Sequence, residues 1–329
     1  MKNIKNSILL IVFLILALLV LGFFLYDNKK GERSFRKELF AIDSARVSKL
    51  TIYPKDTNRQ VLILSGAGRD WKIGSGNKSW PADTGMIMHI ISSLVNAKPE
   101  RVAGTDKSSW KDFQITDSAS VRVVVEQGND KVADFRVGKI SFSQDGRGNF
   151  GRQGMSVKSH IRVAGDDRVY VVDGFLSMIF RDEISAYRNK LISKFDRKLA
   201  GKLTFTYPGD SSFILQKTDN RWMINDKQAD SASTASYITS LANLYNSGFA
   251  DDNNISGLYS YTLRIEGTNF PGFEIRGSAD EAAKRYFVKS DLNSSAVFGG
   301  TDPTLFRQVF PGKGKFEPLP QKHKSGKKK

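Results

Sequence analysis

The stretch FRKELFAIDSARVSKLTIYP, residues 35–54, returns as YRNKLISKFDRKLAGKLTFTYP, residues 187–208. Arg36 falls on Arg188, Leu39 on Leu191, Asp43 on Asp196, Lys49-Leu50-Thr51 on Lys202-Leu203-Thr204 and Pro54 on Pro208. The matches continue in order. Trp71 in DWKI answers Trp222 in RWMI, and Pro81-Ala82-Asp83 answers Gln228-Ala229-Asp230. Ile91-Ser92-Ser93-Leu94 then answers Ile238-Thr239-Ser240-Leu241. An offset of about 150 residues is too long for a solenoid and suits a duplicated domain. The reading is two tandem homologous domains, residues 35–186 and 187–312.

Each copy reads as α+β. It opens with a short helical piece, seen in Tyr187–Leu199, where Tyr187, Leu191, Ile192, Phe195 and Leu199 recur at helical spacing. Short Thr-rich and aromatic strands follow: KLTIY or KLTFTY, VLILS or SFILQ, and a third around Trp71 or Trp222. Polar turns join them as an antiparallel meander. After Asp83 an apolar stripe of Ile87, Ile90, Ile91, Leu94 and Val95 marks a helix capped by Thr84 or Asp83. The second copy repeats the stripe with Tyr237, Ile238, Leu241, Leu244 and Tyr245, capped by Ser233 or Thr234. Strands then dominate, from VRVVVEQ, KVADFRVG, HIRVA and RVYVVD to YTLRIEG, GFEIRG, RYFVKS and SAVFGG. A short helix, GFLSMIF or PTLFRQVF, closes each copy. The expected fold is thus two mainly antiparallel sheets with packed helices.

The first residues set an expectation for location. Lys2 and Lys5 precede an uncharged run from Ser7 to Tyr26, with ILLIVFLILALLVLGFFL at its centre. A run of about 18–20 apolar residues, rising about 1.5 Å each, spans the hydrocarbon core of a bilayer. No A-x-A-like cleavage site follows, and the run exceeds a signal-peptide h-region. The reading is an uncleaved signal anchor at 7–26, with a cytoplasmic tail at 1–6 and a linker at 27–34. The raw Lys/Arg count on the flanks favours a cytoplasmic domain. Arg36 and Lys37 belong to the repeat, however, and without them the flanks nearly balance. The short amino-terminal tail has no acidic residue and is readily retained inside, which places the domains on the extracytoplasmic side of the cytoplasmic membrane.

The net charge of +16 is uneven. The tail from Lys313 to Lys329, rich in Pro, Gly and Lys, reads as disordered and suited either to anionic headgroups or to solvation alone. The rest shows no basic stripe with interleaved aromatics, so nucleic acid is not an expected partner. Absence of cysteine excludes disulfides and lipoprotein attachment.

In these motifs the chain resembles the bacterial domain-of-unknown-function family 4340. The pattern is W-x-[ILV], then P-A-D, a helix with paired aliphatics, and Gly-Leu before a strand. Trp71, Pro81, Ala82, Asp83, Ile90, Ile91 and Leu94 carry it in the first copy. In the second, Trp222, Ala229, Asp230, Ile238, Leu241 and Gly257-Leu258 carry it. The first copy has Asp112-Phe113 in place of Gly-Leu, and the second lacks the proline before Ala229. The resemblance implies a single-pass exported membrane protein. It also implies neighbours that look like components of a gliding-motility type of ABC transporter.

Candidate chemistry is sparse. Gly146, Gly148 and Gly151 fit G-x-G-x-x-G, but RQGMSVKSHIRV follows without a helix, so a hairpin loop is the reading. His89, His160 and His323 have no ligand-type spacing, and His89 is expected to be partly buried beside the helix stripe. Asp251-Asp252-Asn253-Asn254 lacks the glycine and terminal glutamate of a calcium loop and reads as a turn. Trp71 and Trp222 share a face with Ile73 and Ile224, as core residues do. The motif residues Arg36, Trp71, Pro81, Asp83, Arg188, Trp222 and Asp230 are therefore structural; no catalytic, cofactor or metal site is expected. The expected function is a non-enzymatic scaffold or accessory subunit for a membrane partner, an ABC-type transporter. The alternative is a ligand-binding protein taking a glycan, peptide or lipid in the cleft between the copies.

Overall fold

The computed structural model describes residues 13, 16–17, 38–55, 58–144, 155–251 and 259–318. Most of the apolar run at 7–26 lies outside them, as do Arg36, the glycine motif at 146–151, Gly257-Leu258 and residues 319–329. No helix among the described residues is long and apolar enough to cross a membrane. The fold is sheet-rich α+β, almost wholly antiparallel, with few helices. It divides into two compact units: Met1–Val61 with His89–Asp182, and Leu62–Met88 with Glu183–Lys329.

In the first unit, β1 (Lys49–Tyr53), β5 (Pro99–Gly104), β6 (Val121–Gln127), β7 (Asp130–Gln144), β8 (Met155–Val163) and β9 (Val169–Asp173) run in the order β1-β6-β7-β8-β9-β5. Every neighbouring pair is antiparallel. Val123 and Val125 on β6, Phe135 on β7, Ile161 on β8 and Val169 on β9 are sealed from solvent. Phe135 meets Phe40 at 4.5 Å and Phe180 at 5.9 Å between ring centroids. Gly138 is required where β7 bulges. The Phe113 carbonyl accepts the Lys139 N–H, and a Cβ at Gly138 would collide with that carbonyl.

The second unit holds the meander β2 (Leu62–Ala67), β3 (Asp70–Ser75) and β4 (Lys78–Pro81). It also holds an eight-stranded sheet. Its strands are β11 (Ala200–Thr206), β12 (Phe213–Thr218), β13 (Arg221–Ile224), β14 (Lys227–Gln228), β16 (Tyr261–Gly267), β17 (Phe270–Asp280), β18 (Arg285–Ser290) and β19 (Asn293–Gly300). They run β14-β13-β12-β11-β16-β17-β18-β19. Leu203 and Phe205 on β11, and Tyr207 just past its end, alternate into one core with Leu263, Ile265, Phe273 and Ile275. Over this face lie two helices, Ser231–Leu241 and Thr304–Val309, with Tyr237, Leu241, Leu305, Phe306 and Val309 turned inward. The Tyr237 and Tyr207 hydroxyls donate to the carbonyls of Val309 and Pro311 at 2.7 and 3.0 Å. Each buried phenol thus has a partner, as burial of a polar tip demands.

The helix α1 (Thr84–Val95) buries Ile87, Ile90, Ile91 and Leu94, the stripe its spacing predicts. The Asp83 carboxylate accepts the Met86 N–H at 3.0 Å, so Asp83 caps α1. His89 points away from that stripe and is exposed, not partly buried. Short helices close the strand runs at α2 (Leu176–Ile179) and Thr304–Val309, as predicted.

Three further readings are corrected. Helix α3 (Ser231–Leu241) is capped by Asp230, whose carboxylate accepts the Ser233 N–H at 2.8 Å; Thr234 is buried inside the helix. Tyr187–Leu199 is not helical, because Leu191–Lys194 forms β10, paired with β15 (Asn243–Tyr245). The Asn189 side chain accepts the Leu191 N–H at 3.0 Å, and the Lys190 carbonyl accepts the Asn246 N–H at 2.9 Å. The extended backbone is satisfied across the sheet instead of along a helix. Finally, residues 313–318, placed at the head of the basic tail, are built into the second unit. Lys313–Lys315 make one 3-10 turn, and Phe316 after it is fully buried.

Candidate interaction site

The motif residues meet at the margins of the sheets. Trp71 is 3% exposed and packs inward with Ile73, while Trp222 is only half-buried against the aromatic core. Trp71 accepts the Ala82 N–H on its carbonyl at 2.8 Å, and Trp222 accepts that of Ala229 at 2.9 Å. In both places the next residue binds a carbonyl from far along the chain: Asp83 N–H donates to Tyr187, and Asp230 N–H to Phe316, both at 2.8 Å. Tyr187 and Phe316 each follow a 3-10 turn and are fully buried.

Arg188 continues from Tyr187 along the edge of β4. It bridges Ala82 in antiparallel fashion, and the Asn189 N–H donates to the Pro81 carbonyl at 2.9 Å. Its guanidinium is 6% exposed, paired with Asp251 at 2.5 Å, and lies 3.7 Å from the Phe249 ring and 4.9 Å from that of Trp80. The other Asp251 oxygen accepts the Val297 N–H at 2.8 Å. A buried guanidinium flanked by two rings and one carboxylate is desolvated and paired, hence a structural joint. Asp251, read as part of a turn, is the anchor of that joint; the remainder of the Asp-Asn run lies outside the described residues.

Among the described residues, no group of three or more His, Asp or Glu is placed to hold a metal. His160 is buried, with Nδ1 2.9 Å from the Lys139 carbonyl and its ring stacked 4.8 Å from Phe113. Burial holds its pKa below the ordinary imidazole value; the Lys139 carbonyl opposes this, and the charges of Lys139 and Arg101 reinforce it.

A surface suited to binding lies at β5, the terminal strand of its sheet, which has no strand on its outer side among the described residues. A groove of about 650 Å³ runs along it, lined by Glu100 to Asp106, Ser108, Ser109 and Arg168. Pro99 and two bulges, at Pro99/Arg101 and Val102/Gly104, restrict which backbone groups can be reached. Such features keep an open edge from pairing indiscriminately. Two ionic ties hold the groove. Lys158, on β8, is 10% exposed and reaches Glu100 at 2.5 Å and Asp173 at 3.3 Å. Burial opposes its charge, but these carboxylates outweigh it and hold its pKa above the ordinary lysine value. Asp166 accepts Arg168 Nη2 at 2.9 Å and the Tyr170 hydroxyl at 2.7 Å. Burial alone would raise the Asp166 pKa; the Arg168 and Tyr170 bonds reverse this and hold it far below the usual carboxylate range. Sequence reading missed the groove because an edge is a property of strand order, and PERVAG carries no binding motif.

No curated protein and no solved structure matches the chain. One family model does, described as a domain of unknown function (DUF4340), over residues 71–263. The match starts at Trp71 and runs through the Asp83 and Asp230 caps, the Tyr187–Arg188 joint and into β16, more than half of the chain. The chain belongs to the DUF4340 family.

Proposed function

We propose that this protein is a non-enzymatic, membrane-anchored accessory subunit that holds a membrane-protein partner by strand addition at the free edge of β5. The observation that carries this reading is the groove along Glu100–Asp106, where an extended segment can pair with the backbone between the two bulges. Pairing supplies affinity, and the fixed charges of Glu100 and Arg168 select the partner's side chains. The apolar run at 7–26 serves as the anchor and sets the domains on the extracytoplasmic side. By resemblance, the partner is an ABC-type transporter of the gliding-motility kind.

The sheets are read as two copies of one ancestral domain. Strand runs β4-β3-β2 and β1-β6-β7-β8-β9 parallel β14-β13-β12 and β11-β16-β17-β18-β19. The paired Trp–Ala bonds and the paired Asp bonds to Tyr187 and Phe316 support the same reading.

A photo-crosslinking residue at Val102, in cells expressing the full chain, tests the function. Carbonate-washed membranes should retain the protein joined to a membrane protein, and a crosslinker at exposed Ile214 should not trap that species. Equal trapping from both positions, or recovery of the chain in the soluble fraction, overturns the reading.

A further inference from the structure

Three arginines stand directly opposite one another on three adjacent strands. Arg122 on β6 faces Arg136 on β7, and Arg136 faces Arg162 on β8. Like charges at facing cross-strand positions repel, so an uncompensated row of this kind is unfavourable. Aromatic rings close both ends. Tyr53 is the β1 partner of Arg122, its ring 5.1 Å from the guanidinium, and Arg162 stacks 3.7 Å from the Trp110 ring.

The carboxylates nearby do not balance the row. Asp134 takes the Arg122 fork at 2.8 and 2.7 Å and also Lys131 at 3.1 Å. Asp117 is shared, reached by Arg136 at 2.9 Å and Arg162 at 2.7 Å. Among the described residues four cations thus meet two carboxylates, and Asp117 is itself 75% exposed. Arg162 keeps its Nε buried with no acceptor among the described residues. Burial lowers the Arg136 pKa; Asp117 opposes this, while Arg162 and Arg122 reinforce it. The row borders a depression of about 210 Å³ lined by Asp117, Arg122, Asp134, Arg136 and Arg162.

The eight-stranded sheet does not need such a row. There Thr262 faces Arg276 and Arg276 faces Lys289. Arg276 is already held by Glu274 at 2.7 Å and Asp291 at 3.1 Å.

We propose that Arg122, Arg136 and Arg162 form a binding site for a phosphate-class oxyanion, with Asp117 as the resident carboxylate the ligand displaces. Guanidinium forks match tetrahedral oxyanions through paired N–H donors, and a phosphate takes over the Arg136 and Arg162 donors that Asp117 now accepts. Displacing Asp117 is easy because its carboxylate is already largely hydrated. The group can arrive as free phosphate or as the headgroup of an anionic lipid. This inference is independent of docking at β5.

The test is calorimetric titration of the full chain in detergent with inorganic phosphate at constant ionic strength. One saturable site is expected. Arg136→Gln should weaken it by about tenfold or more, Asp117→Asn should tighten it, and Arg276→Gln should leave it unchanged. Should Arg136→Gln fail to fold, Arg162→Lys keeps the charge but loses the planar fork, and it should weaken binding by about tenfold as well. Vesicles of zwitterionic lipid with and without phosphatidate separate the sources. Phosphatidate-dependent binding that phosphate competes away assigns a lipid headgroup; binding of phosphate alone assigns the free ion. Absence of a saturable phosphate site, or binding indifferent to the arginine variants, overturns the proposal.

Discussion

Asp230 and Phe316 are joined by a backbone hydrogen bond of 2.8 Å, amide to carbonyl, and a bond of the same length joins Asp83 to Tyr187. In the second unit this bond fixes an aromatic plug: the Phe316 ring lies 5.1 Å from Tyr237 and 5.8 Å from Phe213. Phe316→Ala should cost about 3–5 kcal/mol, the usual range for emptying a buried phenylalanine site. Truncation after Pro318 should leave the urea midpoint unchanged, whereas truncation after Gly312 should lower it sharply.

The cap on α1 offers a smaller effect. Asp83→Ala removes the acceptor for Met86 N–H and should cost about 1 kcal/mol. Asp83→Ser should recover most of the loss, because serine caps comparably. Equal destabilisation by both variants would place the role of Asp83 elsewhere.

The two tryptophans should separate. Trp71 is buried, but its indole N–H has no acceptor among the described residues. Trp71→Phe removes an unsatisfied donor while keeping an aromatic ring, so thermal unfolding should show little change. Trp71→Ala should cost about 3–5 kcal/mol. Trp222, half-buried, should cost less on truncation to alanine.

Acid should weaken the first unit in two stages. His160 has a lowered pKa when folded, so the unfolded chain takes up its proton first. Stability is therefore complete at neutral pH and declines below an ordinary value near 6.5. His160→Gln should flatten the fall in melting temperature between pH 7 and 5. Asp166 is also lowered, and its contribution persists until pH drops below the ordinary carboxylate range. Asp166→Asn should remove that later limb while leaving the His160 stage in place.

Strands were legible where the apolar period was two and the turns were polar. VRVVVEQ appears as β6, and KLTFT of KLTFTY lies within β11. The two helices were legible for a similar reason, since each stripe lies within one short segment, although the cap of the second is Asp230 and not Ser233 or Thr234. Tyr187–Leu199 misled because its apolar residues fit a helical stripe, while the partner that makes it β10 lies about fifty residues later, at Asn243–Tyr245. Phe316 sits among lysines and resembles tail. Only its place after a 3-10 turn, matching Tyr187, reveals the plug. The arginine row was invisible because Arg122, Arg136 and Arg162 lie on separate strands, brought face to face by register alone.

Tyr187 reaches Asp83 across about a hundred residues of chain. At synthesis rates of about 5–20 residues per second, the Ala82–Asp83 edge waits about 5–20 s on the ribosome for its own closing aromatic. During that interval the Tyr187 of a neighbouring nascent chain carries the same group and can fill the slot first. Crowded polysomes would then yield interlocked pairs, and slow or sparse initiation would yield chains closed on themselves.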